Sequence, residues 1–280
     1  MSRLYLKKTP RRLNYVARQM RTFMLTLVLS SFLSFSVVAQ DFPEGKVIDL
    51  THSYDEETIY WPTAGDFELA NVAAGVTEEG YYYYANRFSA AEHGGTHIDA
   101  PRHFFEGANT VDQIPLEQLM GHGVLVDVSE KCSKDPDYQI EIDDLLKWEE
   151  EFGTIPVDSI VFLKTGYGKH WPDRVRYMGT DERGSGALQK LHFPGLHPDA
   201  ARWLVEERKM KAVGLDTPSI DYGQSTLFET HVALFEKNVP ALENLAHLDQ
   251  LPAKGFTVIA LPMKIKGGSG GPTRVIAILE

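Results

Sequence analysis

His93-Gly94-Gly95-Thr96-His97-Ile98-Asp99-Ala100-Pro101-Arg102-His103-Phe104 places three histidines and an aspartate within eleven residues. His93 and His97 stand four apart, which on a helix would put both on one face. A helix is the poorer reading. Gly94 and Gly95 lie between them, each about 1 kcal/mol worse than alanine in a helix interior, and the glutamate of the helical zinc proteases is missing. A glycine turn leading into an extended segment fits better. Side chains then alternate: His97, Asp99 and His103 take one face, Ile98 and Ala100 point to the core, and the turn brings His93 back beside the polar face. Two imidazoles and a carboxylate converging on one point suit a borderline-hard divalent ion that keeps a position open to water. The remaining histidine is left for proton transfer.

Outward from this segment, runs rich in Val, Ile, Leu and Tyr occur at Lys46–Ser53, Tyr81–Ala91, Gly123–Val128, Ser159–Thr165, Lys211–Asp216, Phe256–Lys264 and Thr273–Leu279, with turn residues between them. Helical spacing occurs at Ile142–Phe152 ahead of Gly153, at His197–Arg208 with Pro198 in its first turn, and at Thr226–Lys237. Many strands with few helices predict a single α/β domain over residues 40–280, a mixed β-sheet core with flanking helices. Residues 166–196 lack periodicity, and so long a stretch inside a compact domain is expected to serve function.

The 280 residues carry 28 Lys and Arg against 39 Asp and Glu, a formal charge of -11. That balance argues against a nucleic-acid partner and suits a neutral or cationic small substrate. A lone cysteine, Cys132, excludes a disulfide framework and a Cys-rich metal site. Residues 1–39 hold seven basic residues and no acidic one. Behind Arg21 an uncharged apolar run starts at Phe23 and ends in Val37-Val38-Ala39, with small residues where a signal peptidase reads them. This layout predicts a signal peptide over residues 1–39, with Met20 as an alternative start. The mature chain would begin at Gln40, secreted or periplasmic, without stable membrane association.

Three further stretches invite chemical readings. Gly267-Gly268-Ser269-Gly270-Gly271 has the outline of a serine-hydrolase elbow. An elbow needs a helix after the serine, but Thr273–Leu279 reads as a strand and no Asp or His follows Ser269, so a backbone turn is expected instead. Tyr81–Tyr84 alternates along a strand, which predicts half of these rings in the core and half toward a pocket. Cys132 sits in a polar segment without a histidine partner and is not expected to be a nucleophile.

On these residues the chain resembles the cyclase family of metal-dependent hydrolases, which includes bacterial kynurenine formamidase and isatin hydrolase. The family pattern His-x-Gly-Thr-His-x-Asp-x-Pro-x-His-Phe is matched at His93, Gly95, Thr96, His97, Asp99, Pro101, His103 and Phe104. The similarity also takes in Val47–Ser53, Trp61-Pro62, Gly214–Asp221, His231, Glu243-Asn244-Leu245 and Leu261–Gly270. The resemblance implies a swivelling β/β/α-like fold, metal ligation by His93, His97 and Asp99, and an acid/base role for His103. From the formamidase branch it implies that His231 and Glu243, twelve apart, complete a two-metal site bridged by Asp99. It further implies that Trp61 contacts substrate and that the protein is a homodimer. The implied cofactor is Zn²⁺ or Mn²⁺, one or two ions per subunit, because the isatin-hydrolase branch is described with a single manganese. After Trp61-Pro62 this chain has Thr63-Ala64, where formamidases tend to have Gly-Asp.

The activity so implied is hydrolysis of a small aromatic amide, arylformamidase-like: N-formylkynurenine to kynurenine and formate, a step of tryptophan catabolism. An isatin hydrolase-like reaction on a lactam or cyclic imide is the alternative. A non-catalytic metal-dependent binding protein is a reading of another class. It would need the ligands but not the free acid/base that His103 offers.

Overall fold

Ile160, Val161, Phe162 and Leu163 are apolar in succession because both faces of their strand are covered. Ile160 and Phe162 join one apolar layer, Val161 and Leu163 the other. A strand buried on both sides has no polar face to show. The same holds for Leu125 against Val124 and Val126. The computed structural model describes residues 45–280; the expected signal over residues 1–39, with Met20 and Ala39, lies outside the described residues.

The described strands are β1 (Val47–Asp49), β2 (Glu68–Val76), β3 (Tyr82–Ser89), β4 (His97–Asp99), β5 (Met120–Asp127), β6 (Gln139–Ile140), β7 (Ile160–Lys164), β8 (Gly195–Leu196), β9 (Ala212–Leu215), β10 (Ala241–Glu243), β11 (Phe256–Pro262) and β12 (Gly270–Leu279). Eight of them form one sheet in the order β1-β12-β11-β5-β7-β9-β10-β4, and β4 pairs again with β12, so the sheet curls back on itself. Strands β5, β7, β9 and β10 run parallel, the remaining pairs antiparallel. The mixed sheet expected from the sequence is therefore what the chain forms.

Three helices matter for the layers: α1 (Ile142–Phe152), α2 (Pro198–Glu206) and α3 (Glu229–Phe235). Leu145 of α1, Leu204 of α2 and Leu234 of α3 pack on Val126, Leu163 and Val213 in one layer. On the opposite face, Ile98, Phe162, Leu242, Phe256 and Val275 form the second. Each such side chain, fully buried, stabilises the fold by about 1.5–3 kcal/mol relative to exposure. Proline at the first turn opens α2 and Gly153, at φ +90°, closes α1, as their sequences suggest.

One expectation fails. Tyr81, Tyr82, Tyr83 and Tyr84 are all in the open, 52% to 66% exposed. Among the described residues β3 pairs only with β2 and no layer covers either face of that hairpin, so the predicted split between core and pocket does not occur there. Residues 166–196 contribute packing: Tyr177, Met178 and Phe193 are buried in the helix-side layer. Cys132 is buried, and burial pushes its thiol up to about 12, which agrees with an unreactive side chain. No described helix is long and apolar enough to cross a membrane.

Candidate active site

Strand β4 runs between β10 and β12. Its register with β10 sets Glu243 opposite His97, and its register with β12 sets Gly270 opposite Asp99. Opposed residues share a face, so His97, Asp99 and Glu243 project together while Ile98 fills the apolar layer behind them. All three polar side chains are buried. His97 Nε2 lies 3.1 Å from Asp99 Oδ1 and 3.5 Å from Glu243 Oε2. His97 Nδ1 lies 2.9 Å from the Gly95 carbonyl oxygen, which the Asn244 side-chain amide also reaches at 2.8 Å. A Nδ1–H donated there leaves the lone pair on Nε2.

His231 arrives from α3. Asp221 accepts the backbone N–H groups of Thr230 and His231, and its Oδ2 lies 2.5 Å from His231 Nδ1. One carboxylate thus satisfies the open end of the helix and fixes the ring. His231 Nε2 then faces Asp99 Oδ2 at 3.1 Å and Glu243 Oε1 at 3.4 Å.

His93 sits on the expected glycine turn. Gly95 has φ +57°, and a β-carbon on Gly94 would meet the Tyr60 ring at 2.1 Å. The turn places His93 Nδ1 2.6 Å from Asp99 Oδ1. Strand alternation ends at Asp99, because Pro101–His103 is a turn of 3-10 helix. Proline gives no N–H to a ladder, and its fixed φ suits a first helical position. His103 therefore does not share a strand face with His97 and Asp99, contrary to the sequence reading. It returns over the site by stacking on His93, ring centroids 3.7 Å apart.

The electrostatics follow from burial. Burial opposes charge on Asp99, yet His93, His231 and His97 outweigh it and hold its carboxyl well below the usual range. Glu243 is raised by burial and then by the charge of Asp99. Burial opposes protonation of His97 and His231, but their carboxylate partners raise both. His103 goes the other way: burial, aided by the neighbouring histidines, pushes it down to about 4.

This donor set fits a divalent ion. Asp99 turns Oδ1 to His93 and His97 and Oδ2 to His231. Candidate ligand atoms of His97, Asp99 and Glu243 lie within 4.8 Å of one another, as do those of His93, Asp99 and His103. His97 Nε2 is buried without a hydrogen-bond partner among the described residues, as a ligand atom aimed at an ion would be. Above the polar floor opens a cavity of about 280 Å³, walled by Ile59, Tyr60, Trp61, Phe104, Pro218 and Phe228.

All seven residues singled out from the sequence, His93, His97, Asp99, His103, His231, Glu243 and Trp61, line this one cavity. Residues 166–196 supply none of its wall. Four partners were not read as site residues: Asp221, Asn244, Glu92 and Ser269. Asp221 and Asn244 lie within stretches similar to the family, which was the available signal. Ser269 is more than a turn residue, since its hydroxyl lies 2.8 Å from His93 Nε2.

Comparison with known proteins gives a consistent result. The Cyclase family model matches residues 48–222. An isatin hydrolase from Roseibium aggregatum is 32% identical over 209 residues, covering 72% of this chain and 77% of its own. A kynurenine formamidase from Bacillus cereus is 26% identical over 232 residues, 82% of this chain and 95% of its own. Among solved structures, isatin hydrolase A from Ralstonia solanacearum superposes with a TM-score of 0.76 at 28% identity, covering 99% of this chain and 100% of its own.

Proposed function

We propose, from the premise that this chain belongs to the cyclase family, that it is a metal-dependent hydrolase of the C–N bond in a small aromatic amide. The observation that carries the reading is a buried His/Asp/Glu cluster under an aromatic wall, with His103 beside it. His93, His97 and Asp99 would hold one ion, and Asp99, His231 and Glu243 a second; Zn²⁺ or Mn²⁺ suits such donors. When bound, the metal supplies Lewis acidity toward water and the carbonyl oxygen.

The chain's own groups do the rest. His103 is neutral at working pH, so it accepts the proton of the attacking water. As the C–O bond forms and the C–N bond breaks, the same ring returns that proton to the leaving nitrogen. No hydrogen bond engages the His103 ring among the described residues, so its nitrogens remain free for the transfer. Trp61, held edge-on by Phe193 at 6.3 Å, and Phe104 offer apolar faces to an aromatic ring.

An aryl formamide of the N-formylkynurenine kind is the first substrate, supported by the presence of both His231 and Glu243 at the cluster. A lactam of the isatin kind is the second reading, favoured by the 32% identity to an isatin hydrolase. The test is an assay of residues 40–280, loaded with Zn²⁺ or Mn²⁺, on both compounds. Turnover of one identifies the branch; bound metal without turnover of either transfers the case to a binding protein.

The β2–β3 hairpin supports a homodimer. Leu69, Val76 and Phe88 are exposed along with the tyrosines, and an isolated two-stranded ribbon is marginal in water. Cover by a second copy would remove both problems. The basic, apolar and small-residue layout of residues 1–39 supports export after cleavage at Ala39. Mass spectrometry of the protein from its host should find a chain starting at Gln40, and an intact chain carrying Arg21 would refute export.

A further inference from the structure

Ser269 sits between two glycines, and each is closely approached by a neighbour of the site. A β-carbon on Gly268 would come within 2.7 Å of Glu92 Oε1, and one on Gly270 within 2.5 Å of His93 Cε1. The loop is cut to let Glu92 and His93 close on Ser269 from either side. The hydroxyl touches both: Ser269 Oγ is 2.7 Å from Glu92 Oε2 and 2.8 Å from His93 Nε2. The Ser269 backbone N–H also donates to Glu92 Oε2 at 3.0 Å, and the Ser269 carbonyl accepts the Ala100 N–H at 2.8 Å, which ties the loop to the end of β4.

The order of protons follows from the donors available. A carboxylate only accepts, so the Ser269 hydroxyl hydrogen goes to Glu92. The hydroxyl oxygen then offers His93 lone pairs alone, and Nε2–H must donate. Asp99 too can only accept, so the 2.6 Å contact to its Oδ1 is donated by Nδ1–H, the hydrogen that a bound ion would displace while Ser269 keeps Nε2–H. A nucleophilic Ser269 would need the opposite order, donating to His93, and Glu92 removes that option. His97 and His231 are held the other way round, each anchored at Nδ1, by the Gly95 carbonyl and by Asp221.

We propose that Glu92 and Ser269 are positioning residues that fix the ring and tautomer of His93, so that His93 meets its divalent ion through Nδ1, while His97 would meet the same ion, and His231 the second, through Nε2. This rests on the metal-centre reading above. The probe is Zn²⁺, its affinity measured by chelator competition for the parent, Ser269→Ala, Ser269→Thr and Glu92→Gln. Alongside it, long-range ¹H–¹⁵N spectra of the Zn²⁺-loaded parent report which ring nitrogen of His93 carries hydrogen. Ser269→Ala should bind Zn²⁺ about 10–100-fold more weakly, the usual cost of losing an outer partner of a ligating histidine. Glu92→Gln should do the same, because its amide can donate to the hydroxyl and turn the serine hydrogen toward His93. Ser269→Thr keeps the hydroxyl and should stay near the parent, and the metal-free variants should melt with the parent. In the parent spectrum the His93 proton should be on Nε2. Unchanged affinity in both Ser269→Ala and Glu92→Gln, or a proton on His93 Nδ1, would overturn the relay while leaving the metal centre standing. A parent that binds no Zn²⁺ would overturn both.

Discussion

Strand β4 and the hairpin of β2 and β3 are neighbours in sequence and opposites in environment. His97, Ile98, Asp99 and Ala100 are buried to the last side chain, polar ones included, while four consecutive tyrosines at the hairpin tip stand in solvent. The difference lies in what surrounds each strand. Strand β4 has a partner on both edges and an apolar layer behind it; among the described residues β3 has one partner and two bare faces. Burying His97 and Asp99 is costly unless they are paired or bind an ion, so that region is shaped by its chemistry. The hairpin has no buried polar group to satisfy and is shaped by whatever covers it.

The contrast breaks most sharply at His103. His103→Ala should keep its metal yet lose about 10²–10⁴-fold in turnover, the usual worth of a positioned acid/base. Activity within a few-fold of the parent would make His103 a packing residue. On the other side, replacing Tyr82 and Tyr84 together by Ser should leave bound metal unchanged and shift the protein toward monomer in analytical ultracentrifugation. A parent that is already monomeric would remove the reason given for those exposed rings.

A smaller effect sharpens the same contrast through acid stability. His52 is half-buried, its ring stacked on Trp171 at 4.2 Å, and its backbone N–H donates to Thr96 on the site turn. Burial, with help from His247, pushes its pKa down to about 4. The unfolded chain titrates near the ordinary histidine value of about 6.5, so below that pH it binds a proton the native state refuses. Stability is therefore fully present above that value and lost as pH falls toward about 4. His52→Phe keeps the stack and should lower the melting temperature less between pH 7 and 4.5 than the parent does; equal losses in both would remove His52 from the acid response.

The cluster was legible where chemistry is local. Gly94-Gly95 forbids a helix, and the alternation of His97, Ile98 and Asp99 is a property of any strand, so both could be read directly. His103 was misplaced because Pro101 ends the strand and turns the chain, a switch that alternation alone does not register. Glu243 meets His97 through the register of β10, which only the family resemblance anticipated. Ser269 lies 176 positions from His93, a contact with no periodic trace in the sequence. Strand β2 escaped notice because Ala70, Ala73, Ala74 and Gly75 give weak strand propensity, and the solvent exposure of its hairpin is decided by missing neighbours rather than by composition.

The most direct test of a metal centre built around Asp99 is the metal-to-subunit ratio of purified residues 40–280, taken beside Asp99→Ala and Glu243→Gln. Asp99 belongs to both proposed ligand sets, so the expected ratio is two in the parent, falling toward one in Glu243→Gln and to none in Asp99→Ala. A parent without bound metal, or the same ratio in all three proteins, would contradict it.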